Sequence, residues 1–350
     1  MQKAQAFWDE QLTETELKEL LSSTEHRRWA YYAGKVMREK RPDMVWDYLS
    51  PEEVAAHWEE IYPYLGRRRE LWDHLFSIWE EENYVKRSKS TTTTYQRHSG
   101  RSDAGLDPGE RRPGIHGVRK MDSRGKPGND GGPVSSEAPH KKFLSSFPFE
   151  STNFYLTGGT ALSAFYFEHR FSDDLDFFTP EQEDFERIDP LLKDLAEQTG
   201  GQYKADTTAP SYRRIFWNPG EEGKQLKIDF VHKTIEQVEP NKPLKNNVRV
   251  DTVEDICANK ITTLISRCEL KDAIDLFFLH LNGYEPEEYF EYAKKKDAGL
   301  TFEVFSQITG SIQLEEWPQY MLKTPPLSEL NQFYQQLSRK FARAAYPESE

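Results

Sequence analysis

Residues 154–178 read FYLTGGTALSAFYFEHRFSDDLDFF, and this stretch decides how the rest of the chain is understood. It opens with a short apolar run, 154–156, of the kind that forms a buried strand, and the run breaks at Gly158 and Gly159. From Thr160 to Glu168 the sequence predicts one helix of about three turns, because Ala161, Leu162, Phe165 and Tyr166 share an apolar face. Beyond His169 and Arg170 the chain alternates with period two from Asp174 to Phe178, which is a strand signal. In an extended chain Asp174 and Asp176 then point to one side, with Leu175 and Phe177 on the other.

Two carboxylates on one side repel and raise each other's pKa unless a cation lies between them. A hard divalent ion such as magnesium resolves the conflict, since it keeps several waters and takes one or two carboxylates plus substrate phosphates. The glycine pair supplies the complementary half. With no side chains at Gly158 and Gly159, the backbone N–H groups that open the helix can approach a triphosphate, where the helix dipole favours negative charge. A surface turn with two solubilising aspartates is the plain alternative, and a buried-looking strand argues against it.

An apolar strand, Gly-Gly, a helix and then Asp-x-Asp together resemble the nucleotidyltransferase superfamily related to DNA polymerase beta. The fuller string GGTAL...HRFSDDLDFF is similar to its AbiEii-type abortive-infection toxin branch, over roughly residues 147–338. The resemblance implies an α+β fold, a nucleotidyltransferase-like mixed sheet flanked by helices with a C-terminal helical part. It implies two magnesium ions, a nucleoside triphosphate substrate, and Gly158, Gly159 and Thr160 around the triphosphate. In that family a third carboxylate on a neighbouring strand completes the metal site. Asp229 is the match, in QLKIDFV at 225–231, where it faces away from Leu226, Ile228 and Phe230.

The resemblance also carries Lys260 over as a phosphate contact and points to a basic and acidic cluster at Lys271, Asp272 and Asp275. The family usually has arginine where Lys271 stands, so this chain offers a cation without arginine's fork there. For Lys271 and Asp275, four residues apart, an ordinary intrahelical ion pair is the competing reading. Arg213 and Arg214 lie at the start of an expected strand and fit either a nucleotide contact or a solvated strand end. A toxin of a toxin–antitoxin or phage-defence system follows from the resemblance, with a cognate antitoxin as partner and an RNA such as tRNA as acceptor. Transfer to a protein or a small molecule, and a catalytically silent nucleotide-binding module, are the alternatives.

At 350 residues the chain is long enough for two folded units. Charged residues make up 30% of it, and no apolar run of about 18 residues occurs, so no membrane span is expected. The N-terminal MQKAQAFWDEQLTE has no apolar signal core, and Cys257 and Cys268 are the two cysteines, so a reducing cytoplasm is the expected compartment. A net charge of −13 disfavours broad electrostatic capture of nucleic acid while leaving room for a local basic groove.

Four regions follow from the composition. Residues 1–85 form a separate all-helical unit, with capping boxes at Thr13/Glu16 and Ser50/Glu53 and six of the eight tryptophans. So many rings predict a compact core or a partner surface, and the unit is a candidate fused partner or regulator. Within it, Arg67-Arg68-Arg69 reads as a solvated helix start or an RNA contact. Residues 86–140 hold 9 of the 20 glycines and no apolar period, which predicts a disordered linker or insertion. That stretch resembles translated repetitive palindromic elements of bacterial genomes. Residues 141–250 are the expected catalytic core, with strands at 212–217, 225–231 and 247–250 and a helix from Asp189-Pro190 to Thr199. Residues 251–350 are expected to be helical and to complete the cleft, opening on a Thr252/Asp255 cap.

Overall fold

A computed structural model describes residues 6–10, 12–88, 137–220 and 225–347. The linker expected at 86–140 falls, between 89 and 136, outside the described residues. Packing divides the chain into two units. One takes Met1–Lys120, Thr301–Ser311 and Tyr334–Glu350; the other takes Met121–Leu300 and Ile312–Phe333.

The first unit begins with α1 (Glu14–Leu21), α2 (Trp29–Glu39), α3 (Pro51–Ala56), α4 (Trp58–Ile61) and α5 (Arg69–Glu81). Both capping boxes form, so that Thr13 and Ser50 each accept from the backbone N–H three residues on while Glu16 and Glu53 reach back to the cap. The tryptophans mostly make a core. Trp29, Trp72 and Trp79 are buried, their indole N–H groups donating to the carbonyls of Leu21, Met37 and Ala342 at 3.1, 2.9 and 2.7 Å. Ala342 and Ala345 belong to the same apolar cluster, and His74 sits between the hydroxyls of Ser306 and Ser338 at 3.0 and 3.1 Å. The unit is therefore discontinuous: residues 6–88 share their core with segments from the far end of the chain, which a reading along the sequence separates.

The second unit holds α6 (Glu137–Ser146), β1 (Tyr155–Thr157), α7 (Gly158–Leu162) and β2 (Leu175–Thr179). Next come α8 (Gln182–Glu186), α9 (Ile188–Thr199), β3 (Gln202–Ala209), β4 (Tyr212–Asn218) and β5 (Leu226–His232). A small hairpin, β6 (Leu244–Lys245) and β7 (Val248–Arg249), leads into α10 (Val253–Ser266), α11 (Leu270–Leu281) and α12 (Pro286–Lys296). Then α13 (Phe302–Gly310) falls in the first unit, and α14 (Leu327–Ala344) starts in the second and ends in the first.

Five strands make a mixed sheet in the order β1-β2-β5-β4-β3, with β2 and β5 parallel and the other neighbours antiparallel. The fold is α+β, a mixed sheet flanked by helices, together with a helical N-terminal region. Alternation splits the sheet into two faces. Leu175, Phe177, Ile228, Phe230, Ile215 and Trp217 share the first, where Phe177 stacks with Phe147 at 5.0 Å and with Phe230 at 5.2 Å. Each such ring, fully buried, contributes roughly 2–3 kcal/mol. Asp176, Asp229, Lys227 and Arg214 share the opposite face. The core on one face thus holds the acids of the other in register.

Several expectations needed adjustment. The helix after the glycines starts at Gly158 and gives way to a π-helical turn at Ser163–Phe167, where the Glu168 N–H bonds back to Ser163 O at 2.9 Å. The wider turn rotates the buried face, so that Phe167 is buried while Phe165 and Tyr166 stay half-exposed. Strand β3 was not anticipated, because QYKADTTA is nearly all solvent-facing and carries no apolar alternation. Of the strand expected at 247–250, Val248–Arg249 belongs to the hairpin, while Val250 makes a single parallel bridge to Leu156 of β1. By contrast α9 stops at Gly200, and Thr252 caps α10 by accepting from Asp255 N, both as the sequence implies. Among the described residues no helix is long and apolar enough to cross a membrane.

Candidate active site

Asp174 immediately precedes β2 and Asp176 is its second residue, and the parallel register places Asp176 directly beside Asp229 of β5. Asp176 and Asp229 therefore share one face, Asp174 is linked to it through Lys227, and protein cations partly neutralise the acids. Lys227 pairs with Asp174 at 2.8 Å and approaches Asp229 at 3.9 Å. Arg214 grips Asp229 through Nε and Nη2 at 2.8 and 2.9 Å. Asp176 has neither of these partners. Burial, then the neighbouring charges of Asp229 and Asp174, push its carboxyl above the ordinary value. Tyr212, on the same face, is pushed up to about 12 by burial and by Asp229.

The glycine turn faces these acids. Gly158 has φ 72°, and a Cβ there would stand 2.7 Å from Asp176 Oδ2, so both backbone conformation and proximity call for glycine. At Gly159 a Cβ would run into the Arg170 guanidinium and lie 3.3 Å from Asp275 Oδ2. Thr160 is buried and anchors the turn to the acidic strand, its hydroxyl bonding the Asp174 carbonyl and lying 2.8 Å from Ser172 Oγ. On the other side of the turn, Thr157 donates to Asp251 at 2.5 Å, and Lys242 ties Asp251 to Asp255 at 2.9 and 2.7 Å.

Behind the turn lies a second, buried cluster. Asp275 receives Arg170 through Nε at 2.6 Å and Nη2 at 2.8 Å, Lys260 at 2.5 Å and His169 Nε2 at 2.8 Å. Asp272 receives Lys260 at 2.8 Å and Arg267 at 2.7 and 2.9 Å. Burial alone would raise Asp275, but Arg170 and Lys260 outweigh it and hold the carboxyl well below the ordinary range. For His169 burial wins, and the ring is pushed toward its neutral form.

These positions sort the residues anticipated from sequence. Gly158, Gly159, Asp174, Asp176 and Asp229 come together. Lys260, Asp272 and Asp275 lie next to them as a buried ion network, with Lys260 spent on two aspartates. Lys271 is exposed and pairs with Glu269 at 3.1 Å, so neither the expected pair with Asp275 nor a place beside the acids is seen. Arg213 lies on the opposite face, over Phe185 and paired with Asp189 at 2.9 Å; its neighbour Arg214 meets Asp229 instead. Alternation in β4 carried that signal, since buried Ile215 and Trp217 place Arg213 on the core side and Arg214 on the other. The same rule would have drawn out Lys227, two residues before Asp229. Arg170 had no local signal beyond its place in the quoted motif, because its partner Asp275 is over a hundred positions away in the chain.

An uncharacterized protein of Aquifex aeolicus is 31% identical over 154 residues, which span 43% of this chain and 70% of that protein. Among solved structures, JHP933 from Helicobacter pylori is similar with TM-score 0.41 at 20% identity, covering 60% of this chain and 91% of its own. MenT4, a nucleotidyltransferase toxin of Mycobacterium tuberculosis, is similar with TM-score 0.40 at 14% identity, covering 60% and 87%. A family model described as the nucleotidyl transferase AbiEii toxin of type IV toxin–antitoxin systems matches residues 142–345, more than half of the chain. The chain belongs to the AbiEii family of nucleotidyl transferase toxins.

Proposed function

We propose that the protein transfers a nucleoside monophosphate from a nucleoside triphosphate to an acceptor hydroxyl in a metal-dependent reaction, with an RNA such as tRNA as acceptor. The observation that carries this reading is the in-register placement of Asp176 beside Asp229, with the Gly158 turn against Asp176 Oδ2. The donor set suits a hard divalent cation: carboxylate oxygens alone, one of them on a carboxyl whose pKa is raised by burial and by the neighbouring charges of Asp229 and Asp174. Among the described residues no ready-made group of three ligands is formed, so Asp174 and Asp229 would turn from Lys227 and Arg214 to join Asp176. Magnesium held by these three acids would neutralise charge on the phosphates as pyrophosphate leaves.

The chain's own groups supply the rest. Backbone N–H groups at Gly158 and Gly159 cradle phosphate oxygens, and Thr160 fixes the turn to the acid strand. Lys227 and Arg214, freed from the acids, stay on the same face as cations for the triphosphate. Asp229 takes the proton of the acceptor hydroxyl. Triphosphate and tRNA as reactants point to the cytoplasm, and the toxin family points to a cognate antitoxin that restrains the enzyme.

One observation favours a second reading. Asp174 and Asp229 each already hold a protein cation, which also suits a silent nucleotide-binding module. Incubating the purified protein with each alpha-labelled nucleotide, magnesium, and tRNA, total protein or an aminoglycoside separates these. Label in tRNA is the expected result. Label in protein or small molecule moves the acceptor, and nucleotide binding without label in any acceptor supports the silent module.

A further inference from the structure

The first unit carries an arrangement for which nucleotidyl transfer has no use. Trp8 is 89% exposed, whereas Trp29, Trp72 and Trp79 are buried. Its ring forms one wall of a hollow of about 520 Å³ whose other lining residues are Arg38, Glu39 and Arg67. The run Arg67-Arg68-Arg69 divides sharply here. Arg68 turns inward to the carbonyls of Met37 and Lys40, and Arg69 folds back on the carbonyls of Tyr62 and Pro63 at 3.2 and 2.9 Å. Arg67 projects into solvent, and no acid pairs with it among the described residues. Arg38 is held in place by Glu39 at 2.8 Å and the Tyr64 carbonyl at 3.0 Å. Tyr64, itself 38% exposed, meets Tyr31 edge-on at 5.5 Å.

The hollow is lined by two arginines and one glutamate; Glu39 pairs with Arg38, which leaves Arg67 as its uncompensated charge in a chain whose net charge is −13. An indole open to water beside one anchored guanidinium and one free in solvent offers a nucleobase a stacking face and its flanking phosphates two cations. Stacking on an aromatic face tolerates any base, and arginine meets the backbone. We infer that this surface binds single-stranded RNA, with one base stacked on Trp8 and the neighbouring phosphates on Arg67 and Arg38. The inference extends the RNA-acceptor reading, but binding is measured without transfer, so the failure of either leaves the other standing.

The test uses the full chain and a fluorescent oligouridylate of about 12 nucleotides, followed by anisotropy with no triphosphate present. Trp8→Ala should weaken binding about tenfold and Trp8→Phe much less, since phenylalanine still stacks. Arg67→Glu should weaken it about tenfold and reduce the salt slope by about one or two ions. Melting midpoints should stay within about 2 °C, because both side chains are exposed. Unchanged affinity in Trp8→Ala and Arg67→Glu would overturn the inference. So would uridine monophosphate or polyglutamate competing as well as the oligonucleotide, which would make the hollow a general anion site.

Discussion

Asp174, Asp176 and Asp229 meet two protein cations, Lys227 and Arg214, on one face of the sheet, whereas the fully buried Asp272 and Asp275 meet three, Lys260, Arg170 and the more exposed Arg267, with His169 besides. The first group is short of positive charge and the second has a surplus. The difference appears in the carboxyls themselves: Asp176 is pushed up by burial and its acidic neighbours, while Asp275 is held well down by Arg170 and Lys260 despite its burial. The same residue type therefore serves opposite ends. Acids short of counter-charge are where the proposed cation would bind, and acids paired in the interior act as a bracket. Here the bracket reaches the turn, since Arg170 lies against Gly159.

The largest expected effect comes from removing the unpaired acid. Asp176→Ala should lower nucleotide transfer by about a thousandfold or more, with a melting temperature no lower than that of the parent, because a strained carboxylate is lost. A variant that keeps full turnover would break the contrast. Next, Asp275→Asn should leave Arg170 and Lys260 short of a partner and cost about 3–5 kcal/mol, read from denaturant unfolding. A cost below about 1 kcal/mol would mean the bracket is not the stabilising network its geometry describes.

The two clusters should also respond oppositely to pH. Asp275 has a folded pKa below the ordinary 3.8, so its stabilisation is complete above about pH 4 and is lost as pH falls through the folded value. Asp176 has a folded pKa above 3.8, so its charged form destabilises the fold once pH rises through that value. Asp176→Asn should thus stabilise the protein at neutral pH and lose that advantage below about pH 4, as measured by melting across the range. A smaller effect belongs to the turn. Gly158→Ala, at φ 72° and 2.7 Å from Asp176 Oδ2, should cost about 1–2 kcal/mol and slow transfer. Smallest of all, Lys271→Ala should change stability by less than about 0.5 kcal/mol and leave the KM for nucleotide unchanged, since Lys271 is exposed and bonds Glu269.

What the sequence disclosed and what it hid follow the same physics. Period-two alternation is local, so Asp174, Asp176 and Asp229 could be placed on a common face from spacing together with the family resemblance. Caps are local too, and Thr13, Ser50 and Thr252 were legible for that reason. Edge strand β3 was hidden because an exposed edge has no apolar period to show. The π-helical turn after α7 was hidden because one extra residue per turn leaves no compositional trace. Arg213 and Arg214 look alike in sequence, and only the strand assigns them to opposite faces. The joining of residues 6–88 with Thr301–Ser311 and with Ala342 is a matter of tertiary contact that no window along the chain contains.

The central claim is that three carboxylates, two from β2 and its entry and one from β5, jointly hold a divalent cation beside the glycine turn. Crystals grown with manganese and a non-hydrolysable nucleoside triphosphate test it most directly, through anomalous density. The account predicts a peak within ligand distance of Asp174, Asp176 and Asp229, with Lys227 and Arg214 displaced from the acids. Nucleotide bound with no peak there, or with both ion pairs intact, would contradict it.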